Sequence, residues 1–448
     1  MKESYDLDPS ADPRPDPSPP APADPDARPL AEGEFGLTPA APGLDGPTRL
    51  LSLDAYRGFV MLAMASDGLG LRAVSKALPD SSFWRFLAGQ ADHVEWHGLA
   101  SWDLIQPSFM FIVGVAMPWA YANRKAKGQG WWSQFGHALA RSVVLILLGV
   151  FLSSNGARQT SWTFVNVLTQ IGLGYPFVFL ILGWRPAWQF VAAIAVLAGY
   201  WAYFAFWPAA GSAGAWPVTP DFATLSEHWA KNANAASAFD VWFLNLLPYP
   251  DGKGFQANSG GYATLNFIPS IATAIFGVLA GRLLKSAQPE GRKLTTLLIA
   301  GLVGLAAGTA MDYTICPVVK RIWSPSWVLV STGWTCLMMA AFALVVDVWG
   351  ARRLAFPLVV VGANSIVMYV MAQLIKPWVR GALRTHLTTL TYVCEHWLGL
   401  GESAVPRIAR EGPIFGGAYG PAWDSAAVLF VLWLICLWLY RRRLFVRI

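Results

Sequence analysis

The residues best suited to chemistry form one string, His93-Val94-Glu95-Trp96-His97-Gly98-Leu99, followed by Asp103 and an apolar run over 104–122. The chain has six histidines, and two of them stand four positions apart here. Imidazole titrates nearest neutrality, so it can take a proton during group transfer and return it. Glu95 and Asp103 are the carboxylates of the same stretch, and they and His97 are supporting candidates. The competing structural role for His93 is an interfacial histidine satisfied by Asp92 or Glu95.

A second group of polar residues lies within apolar runs. Asp54 and Arg57 are three apart in Leu51-Ser52-Leu53-Asp54-Ala55-Tyr56-Arg57-Gly58 and share a helix face. Two roles stay open for them: a salt bridge that fixes the helix end, or a guanidinium that holds a phosphate-bearing donor. Asp67, near the other end of the same run, is a candidate buried carboxylate. Asn364, Ser365 and Tyr369 interrupt a later run, and polar groups in a membrane span face a cavity or one another. Asn364 therefore either lines a donor tunnel or bonds to a neighbouring helix.

These groups need a membrane scaffold to position them. With 55 % hydrophobic and 13 % charged residues and a mean hydropathy of +0.41, the chain is outside the range of soluble domains. The net charge of +6 does not indicate nucleic acid, because Lys and Arg gather in short links between apolar runs. The class expected is all-α and polytopic, with about ten runs near the ~20 residues that span hydrocarbon. They fall near 51–70, 104–122, 137–153, 163–183, 188–207, 263–283, 294–311, 326–347, 356–375 and 423–440. Basic links at Arg124, Lys125 and Lys127, at Arg185, from Arg282 to Lys293, at Arg352 and Arg353, and at Arg441 to Arg443 share one side of that arrangement. The positive-inside rule makes that side, and both termini, cytoplasmic. Outer loops are then expected near 71–103, 208–262, 312–325 and 376–422.

Residues 1–47, rich in Pro, Ala and Asp, read as a disordered cytoplasmic tail ahead of a membrane domain over 48–448. The tail has no basic start followed by an apolar core, so it is not read as a signal peptide. The four cysteines show no metal-ligand spacing, and no metal is expected. Cys316 and Cys394 fall in outer loops, where a disulfide and a pair of free thiols are both open. Most of the 23 tryptophans fit interfacial belts, and some could offer stacking faces to a sugar.

Several of these strings together resemble the heparan-α-glucosaminide N-acetyltransferase family and its bacterial relatives, within a wider transmembrane acyltransferase superfamily. They are RLLSLDAYRGF, HVEWHGLASWDLIQPSFMFIVGVAMP, SWVLVSTGWTCLMMAAFALVVDV, GANSIVMYV and LYRRRLFVRI. The resemblance runs from about residue 49 onward, leaving the tail and two long outer loops unaligned. It implies an integral protein of a bacterial inner membrane that takes acetyl-CoA from the cytoplasm and acylates an amino-sugar or glycan acceptor on the far side. Acetyl-CoA would be a co-substrate, with no permanently bound cofactor, and a homodimer is among the assemblies it admits. The family's catalytic histidine maps onto His93, acting as a general base or as an acyl carrier. His97 stands where relatives often have Asn. Asp103 and Pro107 match at the start of the second span.

Two departures stand out. Relatives commonly carry Gln-Arg in the fourth span, where this chain has Thr169-Gln170, so Gln170 is left as the donor-side polar group. An Asp-Pro-Glu-Gly-like stretch is replaced by Gly260-Gly261-Tyr262-Ala263. Acceptor contacts are expected among Trp96, Trp102 and Trp242. The alternative function is a transporter or channel-like protein on the same scaffold, using Asp54, Arg57 and Asp103 as a path. No internal repeat in two halves supports it. A structural or sensory membrane protein is a third reading, with the tail alone in its favour.

Overall fold

The apolar runs fold as helices because only a helix satisfies its own backbone polar groups in hydrocarbon. The computed structural model describes residues 37–39, 50–207, 227–248, 254–257, 259–398 and 417–446, with side chains for all of these except 37–39 and 388–398. The helices are α1 (Leu51–Ala65), α2 (Leu71–Ala77), α3 (Ser82–Gln90), α4 (Ile105–Ala126), α5 (Trp131–Ser153), α6 (Val167–Ile181), α7 (Pro186–Ala205) and α8 (Ala235–Leu244). They continue with α9 (Phe267–Lys285), α10 (Glu290–Asp312), α11 (Pro325–Phe342), α12 (Arg352–Ala363), α13 (Ser365–Leu374), α14 (Lys376–Leu398) and α15 (Gly420–Arg441). A helix stands in each of the ten expected runs. Among the described residues, seven are long and apolar enough to cross a bilayer, or eight if one bent pair is a single span.

The shortfall from ten has local causes. At 15 residues each, α1 and α6 reach only about 22 Å. Helix α1 ends because Asp67, Gly68, Leu69 and Gly70 turn left-handed, with φ of 47°, 66°, 50° and 66°. Helix α6 starts late because the Asn166 carboxamide accepts the N–H groups of Leu168 and Thr169, an N-cap that fixes its first turn. The ninth run is not straight: α12 and α13 meet at Asn364 with a 68° bend. Asn364 itself has φ −124° and ψ 42°, outside helical geometry.

Glycines let the spans approach closely. Gly277 and Gly281, four apart on α9, press on the backbone of α4 at Phe111, Gly114 and Val115, where any Cβ would collide. Gly58 of α1 meets Leu358 and Gly362 of α12 in the same way. Such small-residue faces stand in for the hydrophobic drive that lipid removes.

A second, smaller core lies over the loops that follow α3, α7 and α10. Trp96, Phe204, Trp229, Ala263, Val319 and Ile322 are buried together there, with Phe204 and Trp229 rings stacked 4.5 Å apart. This packing fixes three loops that share no helix. Within the expected tail, Leu37–Pro39 (β1) is described, and it pairs antiparallel with Leu444–Val446 (β2). Cys316 is a free, buried thiol, while the side chain of Cys394 lies outside the described residues.

Candidate active site

Helix α4 is preceded by a 3-10 turn, Ser101–Leu104, which carries Asp103 into the bundle at 1 % exposure. A carboxylate so placed needs donors on both oxygens. Oδ2 accepts the backbone N–H of Val94 and of Ala100, each at 3.2 Å. Oδ1 lies 2.7 Å from His93 Nδ1 and accepts from Lys320 Nζ at 3.1 Å. The carboxylate therefore bends the 93–100 loop around itself and ties it to the loop between α10 and α11.

The imidazole tautomer follows from these distances. Facing an ionised oxygen, Nδ1 must carry the proton, which leaves the lone pair on Nε2. Lys320 Nζ also lies 3.1 Å from Nδ1. With Nδ1 protonated, that approach is between two donors converging on one oxygen and is not a third hydrogen bond. The His93 side chain is 40 % exposed, so the ring is open to a substrate. Burial pulls the Lys320 ammonium below the ordinary lysine range, and the Asp103 carboxylate works against that shift. The pair thus enters the protein as mutually neutralised charges.

A second His–Asp contact holds the loops rather than the chemistry. His97 Nε2 meets Asp312 Oδ1 at 2.7 Å, and the same oxygen accepts the Val318 N–H at 2.7 Å. Gly98 N–H donates to the Val318 carbonyl. The hydrogen bond to Asp312 raises the His97 pKa, with burial opposing it. Arg321 adds a further tie: it donates to the carbonyls of Val94 and Gly260, with its guanidinium 5.2 Å from the centre of the Tyr262 ring. Lys320 is delivered to Asp103 by this latch.

The structure pairs His93 with Asp103, a contact the sequence did not foretell, and not with the partners considered for the imidazole, Asp92 and Glu95. Asp92 accepts the backbone N–H of His93, not its ring, and Glu95 is exposed with no ion pair among the described residues. His97 supports the loop and does not touch His93. Asp67 is not buried: its side chain is 63 % exposed and pairs with Lys376, because the left-handed turn swings it out of α1. Trp96 is not an acceptor face, since its ring is 4 % exposed and donates to the Trp229 carbonyl. Trp102 is half-buried and Trp242 is exposed.

The expected donor-side residues separate. Arg57 Nη1 bonds to Asp54 Oδ1 at 3.1 Å at the start of α1. Asn364 spends its amide on β2, donating to the Leu444 carbonyl and accepting the Val446 N–H. Of the two roles left open for it, these bonds are of the element-to-element kind, made to β2 and not to a helix. Gln170 accepts from Gln106, three residues past Asp103, at 2.6 Å and donates to the Asn266 carbonyl at 3.1 Å.

Lys320 and Arg321 are the site residues that sequence reasoning missed. Their signal was present: two adjacent bases in a short loop assigned to the outer side, where the positive-inside rule expects few. Asp240, in α8, was missed as well. It accepts the Thr264 N–H with both oxygens, and burial pushes its carboxyl up to about 6.

Among curated proteins, the chain is similar to heparan-alpha-glucosaminide N-acetyltransferase of Mus musculus, 24 % identical over 365 residues, covering 72 % of this chain and 53 % of that protein. It is equally similar to the Homo sapiens protein of that name, 24 % identical over 367 residues, covering 72 % and 52 %. The chain spans about half the length of these curated relatives. No protein-family model matches it. The resemblance drawn from the motifs thus stands as a distant relationship to that family.

Proposed function

We propose, from that distant kinship and the His93–Asp103 geometry, that the chain is an acyltransferase of the bacterial inner membrane. It moves an acetyl group from cytoplasmic acetyl-CoA to an amino-sugar or glycan acceptor on the outer face. The observation that carries the reading is the 2.7 Å bond from His93 Nδ1 to a buried carboxylate, on an imidazole whose side chain is 40 % exposed. In this reaction Nε2 takes the proton from the acceptor amine or hydroxyl as its nitrogen or oxygen attacks the thioester carbonyl carbon. The carbon–sulfur bond breaks, and the leaving thiolate takes the proton back from the imidazolium. Asp103 holds the Nδ1–H throughout and stabilises the transient cation. A two-step route through an acyl group on Nε2 would use the same nitrogen.

The test is transfer of labelled acetyl groups from acetyl-CoA to a panel of amino sugars and glycans, in membranes holding the wild type or His93→Ala. Transfer that disappears in the variant while CoA binding persists is the expected result. Wild-type levels of transfer in the variant would overturn the assignment of His93. Solute uptake by both forms, with no acyl product from either, would favour a transporter.

A further inference from the structure

Arg141 lies ten residues into α5, about 15 Å from its start, inside a helix long enough to span the bilayer. An arginine at such depth carries a large desolvation cost and normally faces an anion or a polar cavity. Among the described residues no carboxylate pairs with it. Its Nη1 donates to the Tyr175 hydroxyl at 3.4 Å, its guanidinium carbon stands 4.8 Å from the centre of the Tyr175 ring, and its Nε is buried without a partner. Arg124, in the last turn of α4, likewise bonds to Gln129 and His137, with no carboxylate paired to it among the described residues. His137 stands four residues before Arg141 on the same face of α5, so the two guanidinium groups belong to one electropositive pocket.

This pocket sits at one end of a continuous stripe. Gln106, Met110, Val113, Met117, Tyr121 and Arg124 follow at three- and four-residue steps on one face of α4 and cover about 27 Å. Against it, α6 and α9 set Gln170, Gly174, Tyr175, Ser270 and Ala274, leaving an apolar seam with about 10 Å³ open. A ligand would enter it as α4 and α6 part. At the far end, one turn before Asp103's partners are reached, Gln106 and Gln170 bond to each other, and the Asn266 Oδ1 is buried with no donor. The seam therefore offers cations to an anion at one end and a vacant acceptor to an amide N–H at the other.

We infer that Arg141 and Arg124 hold the phosphates of the acyl donor, and that the seam between α4, α6 and α9 carries its pantetheine arm toward His93, with Asn266 accepting from an amide of that arm. This rests on the reading of acetyl-CoA as donor.

The test uses the full chain in detergent, with acetyl-CoA and S-acetylpantetheine, which lacks the phosphates, as alternative donors. Arg141→Gln is expected to raise KM for acetyl-CoA by roughly ten- to hundred-fold, the size of one or two charge-assisted hydrogen bonds. KM for S-acetylpantetheine should stay at its wild-type value, which also reports a folded variant. Arg124→Gln should act in the same direction, and Arg141→Lys should recover part of the loss. Equal KM changes for both donors, or no change for either, would overturn the phosphate site. A wild-type chain that binds no CoA in titration calorimetry would instead overturn the donor reading, and this inference with it.

Discussion

Replacing Asp103 by Asn separates what the carboxylate does for chemistry from what it does for folding. The substitution keeps the shape but removes the charge and turns one acceptor into a donor. Because Oδ1 faces the imidazole and Lys320 while Oδ2 faces two backbone amides, the new NH2 group meets donors in either orientation. If it faces His93, the ring takes the other tautomer and Nε2 loses its lone pair. Transfer should then fall by about 10² to 10⁴, the range for removing a base or its orienting carboxylate. Lys320, with an 8 % exposed side chain, is left as an uncompensated buried cation, a loss of about 3–5 kcal/mol. Adding Lys320→Met removes that cation and should recover much of the thermal stability while leaving transfer low. The assays are labelled acetyl transfer and thermal unfolding in detergent, run on both variants and on Lys320→Met alone. Transfer by Asp103→Asn within threefold of wild type, or activity that returns in the double variant, would refute the orienting role.

The His97–Asp312 latch predicts a pH dependence. A histidine with a raised folded-state pKa contributes stability that is fully present below its ordinary value near 6.5 and is lost as pH rises through the folded value. The melting difference between wild type and His97→Gln should therefore be largest near pH 6 and shrink toward pH 9; a constant difference would contradict this. Gly277→Val should force α9 away from the Phe111 carbonyl, lowering unfolding stability by about 1–3 kcal/mol or more and reducing transfer through the displaced α4. Unchanged melting of that variant would mean the α4–α9 contact is looser than described.

What the sequence revealed and what it hid have different physical origins. Hydropathy located the helices because burial in lipid is decided run by run. His93 and Asp103 were found because they lie ten positions apart in one string. Lys320 lies 227 positions from His93 and reaches it through a loop whose course is set by a separate aromatic core, which no local pattern encodes. Asp67 was misjudged for a backbone reason: hydropathy continues past Ala65, but Gly68 and Gly70 admit a left-handed turn that ends the helix there. Asn364 leaves two roles open in the sequence because the partners of its two hydrogen bonds lie in a segment far along the chain.

That last contact imposes an order on biosynthesis. The Asn364 carboxamide is completed by backbone groups about eighty residues downstream, beyond α15. At about 5–20 residues per second, a ribosome takes roughly 4–16 s to supply them. Throughout that interval the corner between α12 and α13 holds an amide in an apolar run with neither partner made. The bend can set only after α15 has inserted and β2 has folded back beside it. The corner is thus the part of the bundle where insertion machinery has the longest time to act, and where a slowed or stalled ribosome would leave the chain most exposed to a wrong topology.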